Sequence, residues 1–119
     1  MHTVVNGRAV VGGRTLHEWL AVITGSIVAG CDPVRVIAFG STARGDDGPD
    51  SDIDLLVELD SIAPATKTAR MIEVRGLIDA PVAVDVLVTD AADMARRGDL
   101  PGILRVALRE GRVVYERPR

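Results

Sequence analysis

A single cysteine, Cys31, stands among the 119 residues, so no intrachain disulfide can form and a reducing, cytoplasmic setting is expected. No apolar run approaches the roughly 18 residues of a membrane span. The start Met1-His2-Thr3-Val4-Val5-Asn6-Gly7 also lacks the pattern of a signal peptide. The expectation is a soluble intracellular protein with no membrane partner. Internal repeats, heptads and low-complexity tracts are missing too, so residues 1–119 are treated as one folded domain. That length, with 47% hydrophobic residues, allows one modest core. An excess of positive charge is likewise absent. Fourteen basic against 17 acidic residues give a net charge of −3, which argues against a protein that grips nucleic acid mainly by neutralising phosphates. No direct nucleic-acid binding is therefore expected. Lysine is nearly missing: thirteen of the 14 cations are arginine, whose planar fork suits phosphates and carboxylates and suits solvated surface equally well.

What is present reads as alternating strands and helices. Val4-Val5 and Ala9-Val10-Val11 flank Asn6-Gly7, a dipeptide suited to the positive φ angles of a tight turn, and so suggest an N-terminal hairpin. Thr15-x-x-Glu18 has the form of a capping box ahead of Leu16, Trp19, Leu20, Ile23 and Ile27-Val28, which mark one apolar helical face ending near Gly30. Val34 to Phe39 reads as a buried strand running into Gly40-Ser41. The stretch Ala43 to Ser51, dense in Gly, Asp and Pro, reads as a loop. Asp52 to Leu59 alternates like a half-buried strand, Ala65 to Ile78 is helical, and Val82 to Val88 is expected as a third, central strand. Two short helices, Asp90 to Arg97 and Gly102 to Glu110, and an edge strand from Arg112 to Glu116 complete a mixed α/β (α+β) order.

The chemistry is concentrated in Gly40-Ser41-Thr42-Ala43-Arg44-Gly45 and Ser51-Asp52-Ile53-Asp54-Leu55-Leu56-Val57, with ten residues between Ser41 and Asp52. Side chains alternate along a strand, so Asp52 and Asp54 share a face while Ile53 and Leu55 point into the core. Two carboxylates this close repel unless a cation lies between them, and a hard divalent ion such as Mg²⁺ suits their oxygen ligands. Gly40 lets the backbone approach a ligand closely. Ser41 offers a hydroxyl and a main-chain N–H at the start of a helical turn, a setting that favours phosphate, and Arg44 lies one turn further on. Asp85 interrupts Val82-Ala83-Val84-Asp85-Val86-Leu87-Val88, whose valines form the buried face, so Asp85 lies on the other. If the two strands are neighbours, three carboxylates converge.

Gly-Ser-x10-Asp-x-Asp followed by a lone Asp on a later apolar strand resembles the DNA polymerase β-type nucleotidyltransferase superfamily. Within it the chain resembles minimal nucleotidyltransferase (MNT) proteins, and the Gly-Ser-x-Ala-Arg-Gly form with Ser-Asp-Ile-Asp-Leu-Leu-Val closely resembles MNT antitoxins that accompany HEPN toxins. The likeness spans about residues 34–89 and leaves the N-terminal hairpin outside it. It implies the nucleotidyltransferase fold, a small mixed sheet packed with helices. Two Mg²⁺ ions are implied on Asp52, Asp54 and Asp85, with Asp85 helping to deprotonate an acceptor hydroxyl. The triphosphate of ATP is implied on Gly40 and Ser41, with Arg44 in addition. The implied product is an AMP-modified hydroxyl, a tyrosine on a co-encoded HEPN-type partner held in a hetero-oligomer. Nucleotidyltransferases that modify small molecules generally carry an added helical domain, for which 119 residues leave no room. The alternatives are an antitoxin that neutralises by contact alone, or a small-molecule nucleotidyltransferase subunit whose helical half is another chain.

Other residues invite plainer assignments. An Asp-x-Asp alone is common on solvated strands, and it is the combination with Gly40-Ser41 and Asp85 that gives it meaning here. Asp46, Asp47 and Asp50 suit a solvated loop. His17 suits a helix surface, Met71 and Met94 helix packing, and Trp19 a core or a partner interface. Tyr115 fits an edge-strand aromatic better than a self-modification site. Arg105, Arg109 and Arg112 recur at helical spacing, as on a solvated face or a face for an acidic partner.

Overall fold

The computed structural model describes residues 2–5, 8–45 and 52–118. Its N-terminal part is a three-stranded antiparallel sheet of β1 (His2–Val5), β2 (Arg8–Val11) and the short β3 (Arg14–Thr15). The hairpin expected from the sequence is therefore present. Its Asn6-Gly7 turn lies outside the described residues, and β3 is an addition that two residues could not announce. Trp19 anchors this sheet to the first helix, its indole N–H donating to the Val11 carbonyl at 2.6 Å.

Helix α1 (Leu16–Cys31) begins at the capping box read from the sequence: Glu18 N–H donates to Thr15 Oγ1 at 3.2 Å, and Thr15 N–H donates to Glu18 Oε1 at 2.9 Å. Leu16, Leu20, Ile23 and Ile27, three or four residues apart, form its buried stripe. The chain then enters the main sheet. Strand β4 (Arg35–Phe39) passes into the short helix α2 (Gly40–Arg44). Strand β5 (Ile53–Glu58) runs antiparallel to β4. After a 3₁₀ turn at Pro64–Thr66, helix α3 (Lys67–Arg75) crosses to β6 (Val84–Thr89), which lies parallel to β5. Helices α4 (Ala91–Arg97) and α5 (Ile103–Glu110) precede β7 (Arg112–Glu116), which pairs antiparallel with the far side of β4.

The strand order is β6-β5-β4-β7. Strand β6 is therefore an edge, not the central strand its apolar run suggested. Its valines are nonetheless buried because α3 packs against it and one face joins the common core. Along that face Val36, Ala38, Ile53, Leu55, Val57, Val84, Val86 and Val88 pack with Leu20, Ile23 and Ile27 of α1 and Val74 of α3. The second face is not open either: Ile37, Phe39 and Leu56 lie under Leu104 and Ala107 of α5. The half-buried alternation expected of β5 is thus replaced by burial on both faces, with Asp54 at the margin of the covered area.

Behind the sheet, Asp93 knots three elements together. Its carboxylate accepts from the Arg97 guanidinium at 2.8 Å, from Lys67 Nζ at 3.0 Å and from the Thr89 hydroxyl at 2.8 Å, joining α4 to the start of α3 and the end of β6. Asp90 caps α4 by accepting from Asp93 N–H, and it also accepts from Ile62 N–H. The Arg97 hydrogen bond, ahead of the opposing effect of burial and with help from Lys67 and Thr89, holds the Asp93 carboxyl well below the usual carboxylate range. A lowered acid contributes stability that is present above its unfolded value of about 3.9 and is lost as pH falls through the folded value. Asp93→Asn should therefore cost about 2–3 kcal/mol at pH 7, because the cationic partners are partly exposed and screened. It should also flatten the loss of stability that sets in as pH falls below about 4. Urea melts across that range check both effects, and parallel pH profiles for the two proteins would refute the role given to Asp93.

No helix among the described residues is long and apolar enough to cross a membrane.

Candidate active site

The local fold at Gly40 follows from what its position requires. The backbone leaves β4 with extended Phe39 and turns into α2 through Gly40 at φ +76°, a conformation costly for any residue with a side chain. A Cβ at this position would overlap the Asp54 carboxylate. The first turn of α2 is therefore pressed directly against an acid of the neighbouring strand. Ser41 is half-buried and Arg44 is exposed on the last turn. Phe39, the N-cap residue, has no side-chain oxygen with which to cap the helix.

Asp54 pairs in register with Phe39 on one side and Asp85 on the other. Because Ile53 and Val84 point into the shared core, the following residues of the two parallel strands turn to the opposite face together. Burial, reinforced by the charges of Asp85 and Asp52 and by a hydrogen bond to Asp85, pushes the Asp54 carboxyl above the usual carboxylate range. Asp85 is exposed at the sheet edge. Asp52 is also exposed and lies one residue ahead of β5, near enough for its charge to act on Asp54.

Asp54 and Asp85 are thus brought together as the sequence pattern suggested, and both lie beside Gly40. Convergence of all three acids into one ligand group does not appear: among the described residues no three His, Cys, Asp or Glu side chains are gathered as a metal cage. Like charges repel, and three carboxylates close around one point only when a cation occupies it. The donor set nevertheless suits a hard divalent cation, being all oxygen, anionic and clustered around one strand end.

Thr42 was not singled out from the sequence. It is almost fully buried, and its hydroxyl donates to the Asp52 carbonyl at 2.9 Å, tying α2 to the backbone that carries the first acid. A threonine next to Gly-Ser was the available signal, but nothing local distinguishes it from an ordinary helix residue. Thr42→Val should cost about 1 kcal/mol and reduce turnover roughly tenfold by releasing Asp52. Thr42→Ser should restore both. Steady-state rates beside thermal melts check this, and a valine variant as active as the parent would remove Thr42 from the site.

Met71 packs against the core, as its reading as a helix-packing residue has it, and also lines a cavity of about 430 Å³ next to Asp54 and Asp85. Tyr115 packs against the core from edge strand β7, as its composition suggested. His17 is exposed on α1. Asp46, Asp47 and Asp50 lie outside the described residues.

A family model described as a nucleotidyltransferase domain matches residues 21–113. Among solved structures, the chain is similar to a protein from Sulfolobus solfataricus whose assignment as a nucleotidyltransferase is itself provisional. The two are 26% identical, with a TM-score of 0.61, over 84% of this chain and 79% of the other. A search among curated proteins finds no match.

Proposed function

The chain belongs to the nucleotidyltransferase domain family, and from that premise we propose that it transfers AMP from ATP to a hydroxyl on a partner protein, a tyrosine of a HEPN-type toxin encoded beside it. The observation that carries nucleotidyl transfer is the meeting of three parts at one point: the left-handed turn at Gly40, the Asp54 carboxylate pressed against it, and Asp85 in register beside Asp54 on the next strand. The antitoxin assignment rests on the resemblance of the Gly40–Gly45 and Ser51–Val57 motifs.

In this reaction the acceptor oxygen attacks the α-phosphorus, the bond from that phosphorus to the bridging oxygen breaks, and pyrophosphate leaves. The hydroxyl proton passes to the Asp85 carboxylate. Gly40 and Ser41 hold the triphosphate through main-chain N–H groups, with Arg44 supplying further donors at the end of α2. Asp52, Asp54 and Asp85 would hold Mg²⁺, two ions in the usual arrangement. When bound, the metal supplies charge stabilisation for the attacking and leaving oxygens.

The test is incubation with ATP, Mg²⁺ and the product of the neighbouring gene, followed by intact-mass measurement. A partner heavier by AMP, with pyrophosphate released, is the expected result. Neutralisation of the partner without any mass change, and equally by a protein carrying alanine at positions 52 and 54, would establish a contact inhibitor instead.

A further inference from the structure

The cavity beyond the acids has no assigned use. It holds about 430 Å³. Asp54 and Asp85 form one wall, and Phe39, Leu87, Ile103 and the α3 residue Ile72 provide apolar surface, with Arg75 beside them. Its place in the sheet is informative. Reading across the strands, Gly40-Ser41 follow β4, Asp54 lies on β5, Asp85 lies on edge strand β6, and α3 packs beyond that edge. In an in-line displacement the attacking and leaving oxygens lie on opposite sides of the phosphorus. With the triphosphate on the Gly40-Ser41 side, the acceptor approaches from the β6 side, where Asp85, Val86 and Leu87 line this cavity.

Its lining fits an acceptor better than a nucleobase. No hydroxyl or amide side chain lines it to read a base edge, and its polar groups are two acids and one arginine. Ile72 and Ile103 are 64% and 55% exposed. Large apolar side chains grouped in water at a cavity mouth mark a surface that another molecule covers. A second cavity of about 540 Å³ shares Met71, Leu87 and Ile103 in its lining and reaches Leu100 and Pro101. Two neighbouring cavities with a shared apolar lining suit a stretch of polypeptide better than a compact metabolite.

Arg75 supplies selectivity. Its guanidinium donates to the Val84 carbonyl, and this holds the planar group at the cavity while its remaining N–H groups can meet a ligand. Asp54 and Asp85 by themselves would repel an acidic segment, and a fixed guanidinium offsets that repulsion with the geometry a carboxylate prefers.

We propose that this cavity is the acceptor subsite, that it takes a flat apolar side chain bearing the hydroxyl, and that Arg75 selects acceptors carrying a carboxylate next to that side chain. The proposal rests on the transferase assignment of Asp54 and Asp85. Its test uses methyl and amide NMR on the full chain with Mg²⁺ and two kinds of probe: α,β-methylene-ATP, and pentapeptides with a central tyrosine flanked by two glutamates or by two lysines. The nucleotide should move the Ser41 amide and leave the Ile72 and Ile103 methyls in place. The glutamate peptide should then move those methyls and bind roughly tenfold more tightly than the lysine peptide, and Arg75→Glu should reverse that order. Thermal melts of the variant establish that it is folded, and Arg75→Gln, which should abolish the preference without reversing it, is the second variant. Three results would overturn the proposal: movement of the two methyls by the nucleotide alone, no movement by either peptide at millimolar concentration, or an unchanged preference in Arg75→Glu. Failure of the transferase assignment registers separately, as a Ser41 amide that ignores the nucleotide.

Discussion

Asp54→Ala should reduce nucleotidyl transfer by about a thousandfold or more and leave the protein folded. The two halves of this expectation have separate causes. Asp54 is the meeting point of the site: it lies against Gly40 at the head of α2, is in register with Asp85 and feels the charges of Asp85 and Asp52. In the proposed mechanism, removing it would take away the central oxygen donor for a divalent cation and the group between the proposed phosphate and acceptor sides. Stability should not suffer in proportion. Asp54 lies at the covered margin of the sheet, where burial and two like charges oppose its ionised form, so its loss relieves repulsion. A melting temperature equal to or above that of the parent, together with loss of AMP transfer, is the expected pair of measurements. A variant that still carries out nucleotidyl transfer at a tenth of the parental rate would show that the centre of the reaction lies elsewhere.

Gly40→Ala should lose both stability and activity, and the comparison with Gly13→Ala separates the causes. The two glycines have nearly the same backbone angle, φ +76° and +79°, so an alanine at either position suffers the same backbone strain, about 1–2 kcal/mol. The surroundings differ. A Cβ at Gly13 meets nothing within 4 Å, whereas one at Gly40 collides with the Asp54 carboxylate. Gly13→Ala should therefore lower the melting temperature by roughly 5–10 °C and keep full transfer activity. Gly40→Ala should fall further and lose transfer by roughly a hundredfold or more, since either α2 or Asp54 must move. Matched melting temperatures and matched rates for the two variants would show that the close approach of α2 to Asp54 has no catalytic meaning.

Much of this site was legible in the order of residues because its parts are local. The capping box at Thr15 and Glu18, the stripe along α1 and the alternation that turns Asp54 away from Ile53 are consequences of helical and extended geometry acting over a few residues. The family resemblance extended this by joining Gly40-Ser41 to Asp52, Asp54 and Asp85. Where local pattern misled, a non-local contact was responsible. Val82 to Val88 looks central because its valines are buried, yet the cover comes from α3 and β6 is an edge. Strand β5 looks half-solvated by composition, yet Leu56 is covered by α5, a helix some fifty positions further along the chain.

The sequence by itself determined which residues have oxygen donors, which face of each strand they occupy and where the glycine that admits a left-handed turn stands, because these depend on side-chain chemistry and on backbone periods of 2 and 3.6. Only the tertiary structure decided that Asp54 and Asp85 are register partners, that Gly40 presses on Asp54, that Thr42 holds the Asp52 carbonyl and that a cavity with Arg75 lies next to the acids. Pairing between strands separated by a crossover helix is selected by how the whole core packs, and no short stretch of the chain carries that information alone.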